Sequence, residues 1–431
     1  MKVLWLCNLI LPQVRNILGL NKTNGGGWLR DIYEKAIDSS KIEIATCAPM
    51  DDIDYKKSKD IVKAEYRKSK FWGFYKNNTR YENYDLYVEM QLKKIVAEYT
   101  PDIVHIWGTE YSHSLAMIKA IDDSGKIVIH IQGLISRCAD AYLDGIPDWV
   151  VNRLTIRDFL KRDGLLRQQE KFYKRGKLEI EAIRKCSYVM GRTDWDKNET
   201  LKINPSIEYF KCNENIRSEF LLCDKWDINS IESNSIFMSQ GYYPIKGFHV
   251  MIEALNILKK KNYEVKLYLA GFNPYNLDCF RKKIFVSSYI KHCVDLINKY
   301  QLQDNVVFLG ELDADEMAYY LRKSNIYVMP STIENSPNSM MEAMIVGTPC
   351  IVSRVGGIPT IGKENEDCLM FENCNYNELA EKIENVLLDQ SLAQRLSSRA
   401  IKNMENVQNI DDNFQTLLSV YEHVYNEYVT R

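Results

Sequence analysis

Short, wholly apolar runs rich in β-branched residues alternate along the chain with longer stretches whose apolar positions recur every three or four residues. The short runs read as strands buried on both faces, and the longer stretches as amphipathic helices. From the N-terminus, strands are predicted at 3–9, 41–46, 102–107, 126–131 and 188–190, with a helix from Trp28 to Ile37 between the first two. Near residue 233 the alternation restarts, with strands at 235–239, 265–270, 305–309, 326–329 and 350–352. Helical patterns follow at 376–388, 391–404 and 410–428, the last carrying Phe414, Leu417, Leu418, Tyr421, Val424 and Tyr425 on one face. Strands alternating with helices predict parallel sheets, here two of them. No repeat period emerges. The boundary is expected between about 213 and 234, in the polar run INSIESNS, which gives one domain over 1–220 and another over 233–409.

Composition changes this picture little. A chain of 431 residues with 45% hydrophobic and 26% charged residues has ample core for two domains. A net charge of −2 argues against a general nucleic-acid binder. The N-terminal half is mildly basic and the C-terminal half acidic, which points to two domains with different surface tasks. The eleven cysteines form no CxxC pair and have no His cluster beside them, so neither a zinc site nor a disulfide framework is expected. Reduced thiols fit a cytoplasmic protein. The apolar run after Lys2 is too short to span a bilayer and has no cleavage site after it.

The chemistry concentrates in 326–359. A strand ends at Pro330, a polar turn carries Glu334, a helix carries Glu342 eight residues later, and Gly356-Gly357 follows the next strand. Loops at the carboxyl ends of parallel strands are where open α/β sheets bind ligands. Asn338 and Ser339 are expected as N-caps, aiming backbone N–H groups at an anion, while the two carboxylates would accept from hydroxyls. Taken alone, the stretch reads first as an ordinary strand–helix connection with surface acids. Lys246, before Gly247 and a helix, supplies a point charge beside a second helix start. The glycines at 25–27 would let the backbone approach a ligand, but Arg30 stands where a dinucleotide fingerprint needs glycine, which disfavours a nicotinamide enzyme. Asp194/Asp196 and Asp313/Asp315 stand at helix starts and read as caps rather than metal ligands. His105 reads as packed, His113 as facing the cleft, and His130 as a candidate for orienting substrate. Of two basic stretches, 153–177 reads as a solvated helix face. The other, 66–76, interleaves cations with Phe71, Trp72, Phe74 and Tyr75, and is a candidate for peripheral membrane contact as much as for a packed segment.

These motifs resemble the family 4 retaining glycosyltransferases, in particular those of bacterial surface-polysaccharide synthesis. The carrying segments are STIENSPNSMMEAMIVGTPCIVSRVGGIP, SQGYYPIKGFHVMIEAL, the strand end FLG at 308–310, GGGW, GRTDWDKNETLKINP and VHIWGTEYSHSLAM. The resemblance implies a GT-B fold: α/β, two Rossmann-like parallel-sheet domains facing a cleft, with a C-terminal helix at about 410–431 crossing back to the N-terminal domain. It implies a retaining, metal-independent transfer of a hexose-type sugar, UDP-linked, to a glycan or lipid-linked acceptor, with no cofactor beyond the nucleotide sugar. By the same resemblance Glu334 would hold sugar hydroxyls and Glu342 the ribose. The stretch Asn335, Ser336, Pro337, Asn338 and Ser339 would hold the diphosphate, with Lys246 on its charge. Gly25 and Gly26 would close over the sugar phosphate, and Gly310 would lie near the base. Two positions depart from the family: Gln240 stands where an Arg is common, leaving Arg192 to supply a second cation, and Gln132 stands where a His is common, with His130 two residues earlier. The other readings are a non-catalytic nucleotide-sugar-binding protein and a nucleotide-sugar epimerase on the same fold.

Overall fold

The computed structural model describes residues 1–21, 26–50, 60–76, 82–121, 123–271, 273–274 and 286–430. Gly25 lies outside them. By internal contacts the chain divides into two units. The first holds Met1–Ser136, Phe172–Arg217 and Gln408–Arg431; the second holds Arg137–Lys171 and Ser218–Val407.

The first unit is built on a sheet of eight strands: β1 (Lys2–Cys7), β2 (Glu43–Pro49), β3 (Val62–Tyr66), β4 (Ser69–Phe74), β5 (Ile103–Trp107), β6 (Ile127–His130), β7 (Tyr188–Gly191) and β8 (Glu208–Lys211). Their order is β3-β4-β2-β1-β5-β6-β7-β8, parallel except for the edge strand β3. Both faces are covered, so successive residues enter different cores. Val3, Trp5 and Cys7 pack in one cluster, and Leu4 and Leu6 in the other. This is why the strands read as unbroken apolar runs. The helix Ile410–Val429 belongs to this unit and buries Phe414, Leu417, Leu418, Tyr421 and Val424. Tyr421 fastens it: its hydroxyl accepts from Trp5 Nε1 at 2.8 Å and meets His105 Nδ1 at 2.5 Å.

The second unit is built on six parallel strands: β9 (Glu232–Met238), β10 (Lys266–Ala270), β11 (Val306–Gly310), β12 (Ser324–Met329), β13 (Cys350–Ser353) and β14 (Leu369–Phe371). Their order is β11-β10-β9-β12-β13-β14. Arg137–Lys171 packs with this unit although it lies between β6 and β7 in the chain. His249 Nε2 meets the Asp144 carbonyl at 3.2 Å, and Arg153 pairs with Asp295 at 2.9 Å.

Every predicted strand is present. The β3–β4 hairpin, β8 and β14 were not predicted. The hairpin corrects the membrane-contact reading of 66–76. Phe71, Trp72, Phe74 and Tyr75 are at most 4% exposed, packed into the cores on the two faces of the sheet, and cannot enter a bilayer without unfolding it. Trp72→Ala should therefore cost about 3–5 kcal/mol of stability. Urea denaturation measures this, and an unchanged midpoint would contradict the packing.

Candidate functional site

In each sheet the chain leaves one central strand in one direction and its neighbour in the other, so the carboxyl ends of β9 and β12, and of β1 and β5, are switch points where loops diverge. Both carry polar side chains.

In the second unit, the loop after β9 turns through Pro244–Lys246 and opens the helix Phe248–Lys260 at Gly247. The loop after β12 runs from Pro330 to Pro337 and opens the helix Asn338–Val346. Two glycines let these loops touch. Gly247 sits at φ +69°, and a Cβ there would lie 1.7 Å from the Pro330 carbonyl oxygen. A Cβ on Gly356, at φ +51°, would lie 1.9 Å from the Glu334 carbonyl oxygen. Backbone hydrogen bonds close both approaches, Thr332 N–H donating to Ile245 O at 2.9 Å and Gly357 N–H to Glu334 O at 3.0 Å.

This clamp brings Lys246 Nζ to 2.5 Å from Glu334 Oε1, which also accepts from Ser331 Oγ at 2.8 Å. Among the described residues, nothing is recorded donating to Oε2 of Glu334. The pair faces a small cleft lined also by Ser239, Gln240 and Ser339. Ser239 and Ser331 had no signal of their own in the sequence. Neither of the expected caps stands at the N-cap. Pro337 does, with Asn338 the first helical residue, and a proline ring cannot accept from the first-turn amides. Asn335 and Ser336 are nearly buried, and Glu342 is 4% exposed in the second helical turn, outside the lining of this cleft. Gly310 ends β11 at φ +77° with open space where a Cβ would be. Lys246, Glu334 and Ser339 are thus brought together.

In the first unit, the switch point holds Asn8, just past β1, and Glu110, just past β5. Asn8 Nδ2 donates to Glu110 Oε2 at 2.8 Å, and Asn8 Oδ1 meets His113 Nε2 at 2.8 Å. Arg175 Nε donates to the Glu110 carbonyl at 2.8 Å. Burial pushes the Glu110 carboxyl up to about 7, with Glu179 adding to the rise and Asn8 and Arg175 opposing it. Glu179 is itself buried and raised by desolvation. It accepts from Ile135 N, Ser136 N, Ser136 Oγ and Thr109 Oγ1, which pins the Glu110 loop. Gly26 opens the helix Gly27–Asp38 at φ +78°.

His130 and Arg192 also lie in this unit, in a separate buried group. His130 is 0% exposed, stacked on Trp107 at 4.7 Å, and burial drives its basicity far down, so the ring is neutral. Its Nε2 is 3.3 Å from Glu214 Oε1. Arg192 Nη1 pairs with Glu214 Oε2 at 3.0 Å, and Gln132 donates to Glu214 Oε1. Glu214, on an irregular segment with no periodicity, organises His130, Gln132 and Arg192, and nothing in the sequence singled it out. All four aspartates stand at helix starts as read, but only Asp313 is an N-cap: Thr193 caps the other helix in a box with Asp196, Asp313 pairs with Glu316, and Asp194 and Asp315 lie in the first turns.

Residues 225–403 match the family described as Glycosyl transferases group 1. The capsular polysaccharide biosynthesis glycosyltransferase CapM of Staphylococcus aureus is 27% identical over 161 residues, 37% of this chain and 38% of that protein. The chain spans about half or less of the length of curated relatives it matches: 51%, 38% and 56% of three of them. Among solved structures, sucrose-phosphate synthase from Thermosynechococcus elongatus is similar with a TM-score of 0.70 at 15% identity, over 99% of this chain and 100% of that one. Anabaena HepE in complex with UDP-glucose gives 0.67 at 13% identity, over 98% and 100%. The fold is therefore that of the GT-B glycosyltransferases, and the resemblance to glycosyltransferases read from the sequence is borne out.

Glu110 sets a pH dependence. Between its ordinary value of 4.5 and about 7, the folded chain keeps a proton that the unfolded chain has lost. Its contribution to stability therefore falls as pH rises through that window. Glu110→Gln should remove this slope, so the variant gains on the wild type between pH 5 and pH 8. Urea midpoints at the two pH values measure it, and parallel curves would contradict the assignment.

Proposed function

We propose that this chain is a retaining glycosyltransferase that moves a hexose-type sugar from a UDP-linked donor to a hydroxyl of a glycan or lipid-linked acceptor in polysaccharide synthesis. The observation that supports it most is the Lys246–Glu334 pair at the switch point of the second sheet, inside the segment that matches the glycosyltransferase family. That HepE is solved with UDP-glucose and that CapM is named for capsular polysaccharide synthesis favour the donor and the pathway class.

The roles follow from charge. Breaking the bond between the anomeric carbon and the diphosphate leaves negative charge on the leaving phosphate. An ammonium fixed beside a helix N-terminus stabilises that charge as it develops, without reorganising at the moment of reaction. Lys246 has this role, with the start of the helix Asn338–Val346 beside it. Glu334, its Oε1 already occupied, offers Oε2 to a sugar hydroxyl, and Ser331 holds the carboxylate's orientation. Glu342 is assigned to the ribose and Gly310 to the base. Glu334 is the one carboxylate lining the cleft among the described residues, which favours a single front-face displacement over a two-step path with paired acids. In that displacement the acceptor oxygen bonds the anomeric carbon as the phosphate departs, and the phosphate oxygen takes the acceptor proton. Asn8 and Glu110, at the switch point of the first sheet, are assigned to acceptor hydroxyls. His130 and Arg192 are positioning residues that hold Glu214 and Gln132.

Lys246→Ala should lower kcat on the order of 10²–10³-fold with the fold intact by circular dichroism. The assay is UDP release from UDP-sugars in the presence of acceptor lipid extract, and unchanged turnover would remove the phosphate assignment. Glu334→Gln should lower kcat/KM for the sugar donor while leaving the affinity for free UDP within about twofold; the reverse pattern would exchange the roles of the two glutamates. Incubation with donor alone separates the rivals, since an epimerase converts the sugar without acceptor and a binding protein turns over in neither case.

A further inference from the structure

Within the second unit, the segment 148–167 is built with its polar side inward and its apolar side out. The helices Asp148–Val151 and Ile156–Lys161 are tied down by charged and hydroxyl groups. Asp158, 1% exposed, accepts from Ser288 N at 2.8 Å and pairs with Arg157 at 2.9 Å. Thr155 Oγ1 donates to Val286 O at 2.8 Å, and Arg153 pairs with Asp295. The large apolar side chains face the other way: Trp149, Leu154, Ile156, Phe159, Leu160 and Leu166 are between 51% and 71% exposed. Four of them are continuous, since Leu154, Phe159, Leu160 and Leu166 line one open groove, with Arg162 and Arg167 at its edge. A helix turned inside out in this way exposes apolar area that water penalises, and such a patch marks a contact surface.

The charges say what kind. Arg153 and Arg157 are spent on acids, whereas Lys161 and Arg162 are exposed at the end of the helix, and no ion pair to either is recorded among the described residues. Arg162, at φ +50°, terminates the helix beside the apolar residues. Aromatic and leucine side chains interleaved with unpaired cations match the boundary of an anionic bilayer, where the rings and alkyl groups enter the headgroup region and the cations meet lipid phosphates. A second copy of the chain fits less well, because a twofold contact through this face would set Lys161 and Arg162 of one copy near those of the other.

We propose that 149–167 is the surface by which this protein lies on an anionic lipid bilayer, with Phe159 and Leu160 inserted and Lys161 and Arg162 on the lipid phosphates. The assignment is independent of the donor and acceptor roles above and of the buried 66–76 hairpin.

The test is sedimentation of the full chain with vesicles of phosphatidylcholine alone or mixed with phosphatidylglycerol. The wild type should pellet with the mixed vesicles, weakly with the neutral ones, and less as salt rises. Phe159→Ser with Leu160→Ser, and separately Lys161→Glu with Arg162→Glu, should each reduce partitioning by about tenfold or more. Both double variants change exposed side chains, so thermal midpoints should be preserved. No pelleting of the wild type with anionic vesicles would overturn the proposal, as would pelleting that neither variant diminishes. If the Phe159/Leu160 variant instead turned a dimer into a monomer in sedimentation velocity and left vesicle binding unchanged, the face would be an interface between copies and the proposal would fall.

Discussion

Much of the second unit's chemistry hangs on two places where backbone meets backbone with no room for a side chain. The approach of Gly247 to the Pro330 carbonyl and of Gly356 to the Glu334 carbonyl fixes three loops against one another at the end of a six-stranded sheet. Once they are fixed, the ammonium of Lys246 and the carboxylate of Glu334 have little choice but to meet. The pair is only partly buried, so the attraction between its charges is modest in itself. In the proposed donor site its value is positional, since a charge already held in place costs little reorganisation when a phosphate leaves. The specificity of the site is therefore written in the glycines and the carbonyls as much as in the charged residues.

The first unit solves a similar problem with different means. It joins an amide, a half-buried carboxyl that burial keeps protonated up to about neutral pH, an imidazole whose Nε2 donates to the same Asn8, and Arg175 donating to the Glu110 carbonyl. In the first unit the cation meets a backbone carbonyl, whereas in the second it meets a carboxylate. The two sheets share a topological rule for where ligands go, while the side chains placed there follow different electrostatic logic.

The alternation of strands and helices was legible because both faces of each sheet are covered, which leaves unbroken apolar runs. Lys246 and Glu334 were legible for the same reason, since each stands in a loop between such a run and a helix. Contacts made by chain reversal at long range were not. Asn8 and Glu110 lie 102 positions apart, and neither has a local signature. The β3–β4 hairpin was masked by its composition: cations flank a run of aromatics that fill both faces of β4, a composition shared with membrane-facing segments. The helix Ile156–Lys161 misled in the opposite sense. Its basic residues read as a solvated face, yet its acid is the buried member and its Phe and Leu are exposed. Periodicity reports that a helix has two faces, and does not say which one turns inward when an ion pair can hold the polar side.

Tyr421 joins the helix Ile410–Val429 to β1 through Trp5 and to β5 through His105. The first unit is discontinuous, with its core assembled from Met1–Ser136, Phe172–Arg217 and Gln408–Arg431. During synthesis its sheet therefore emerges early and waits, one face uncovered by its final helix, while about two hundred residues of the second unit are added. The second unit, nearly continuous from Ser218 to Val407, can close its core before the ribosome reaches Tyr421. The unit built on the earlier strands therefore completes its core after the other, and removal of the helix Ile410–Val429 would strip Trp5 and His105 of their shared Tyr421 partner.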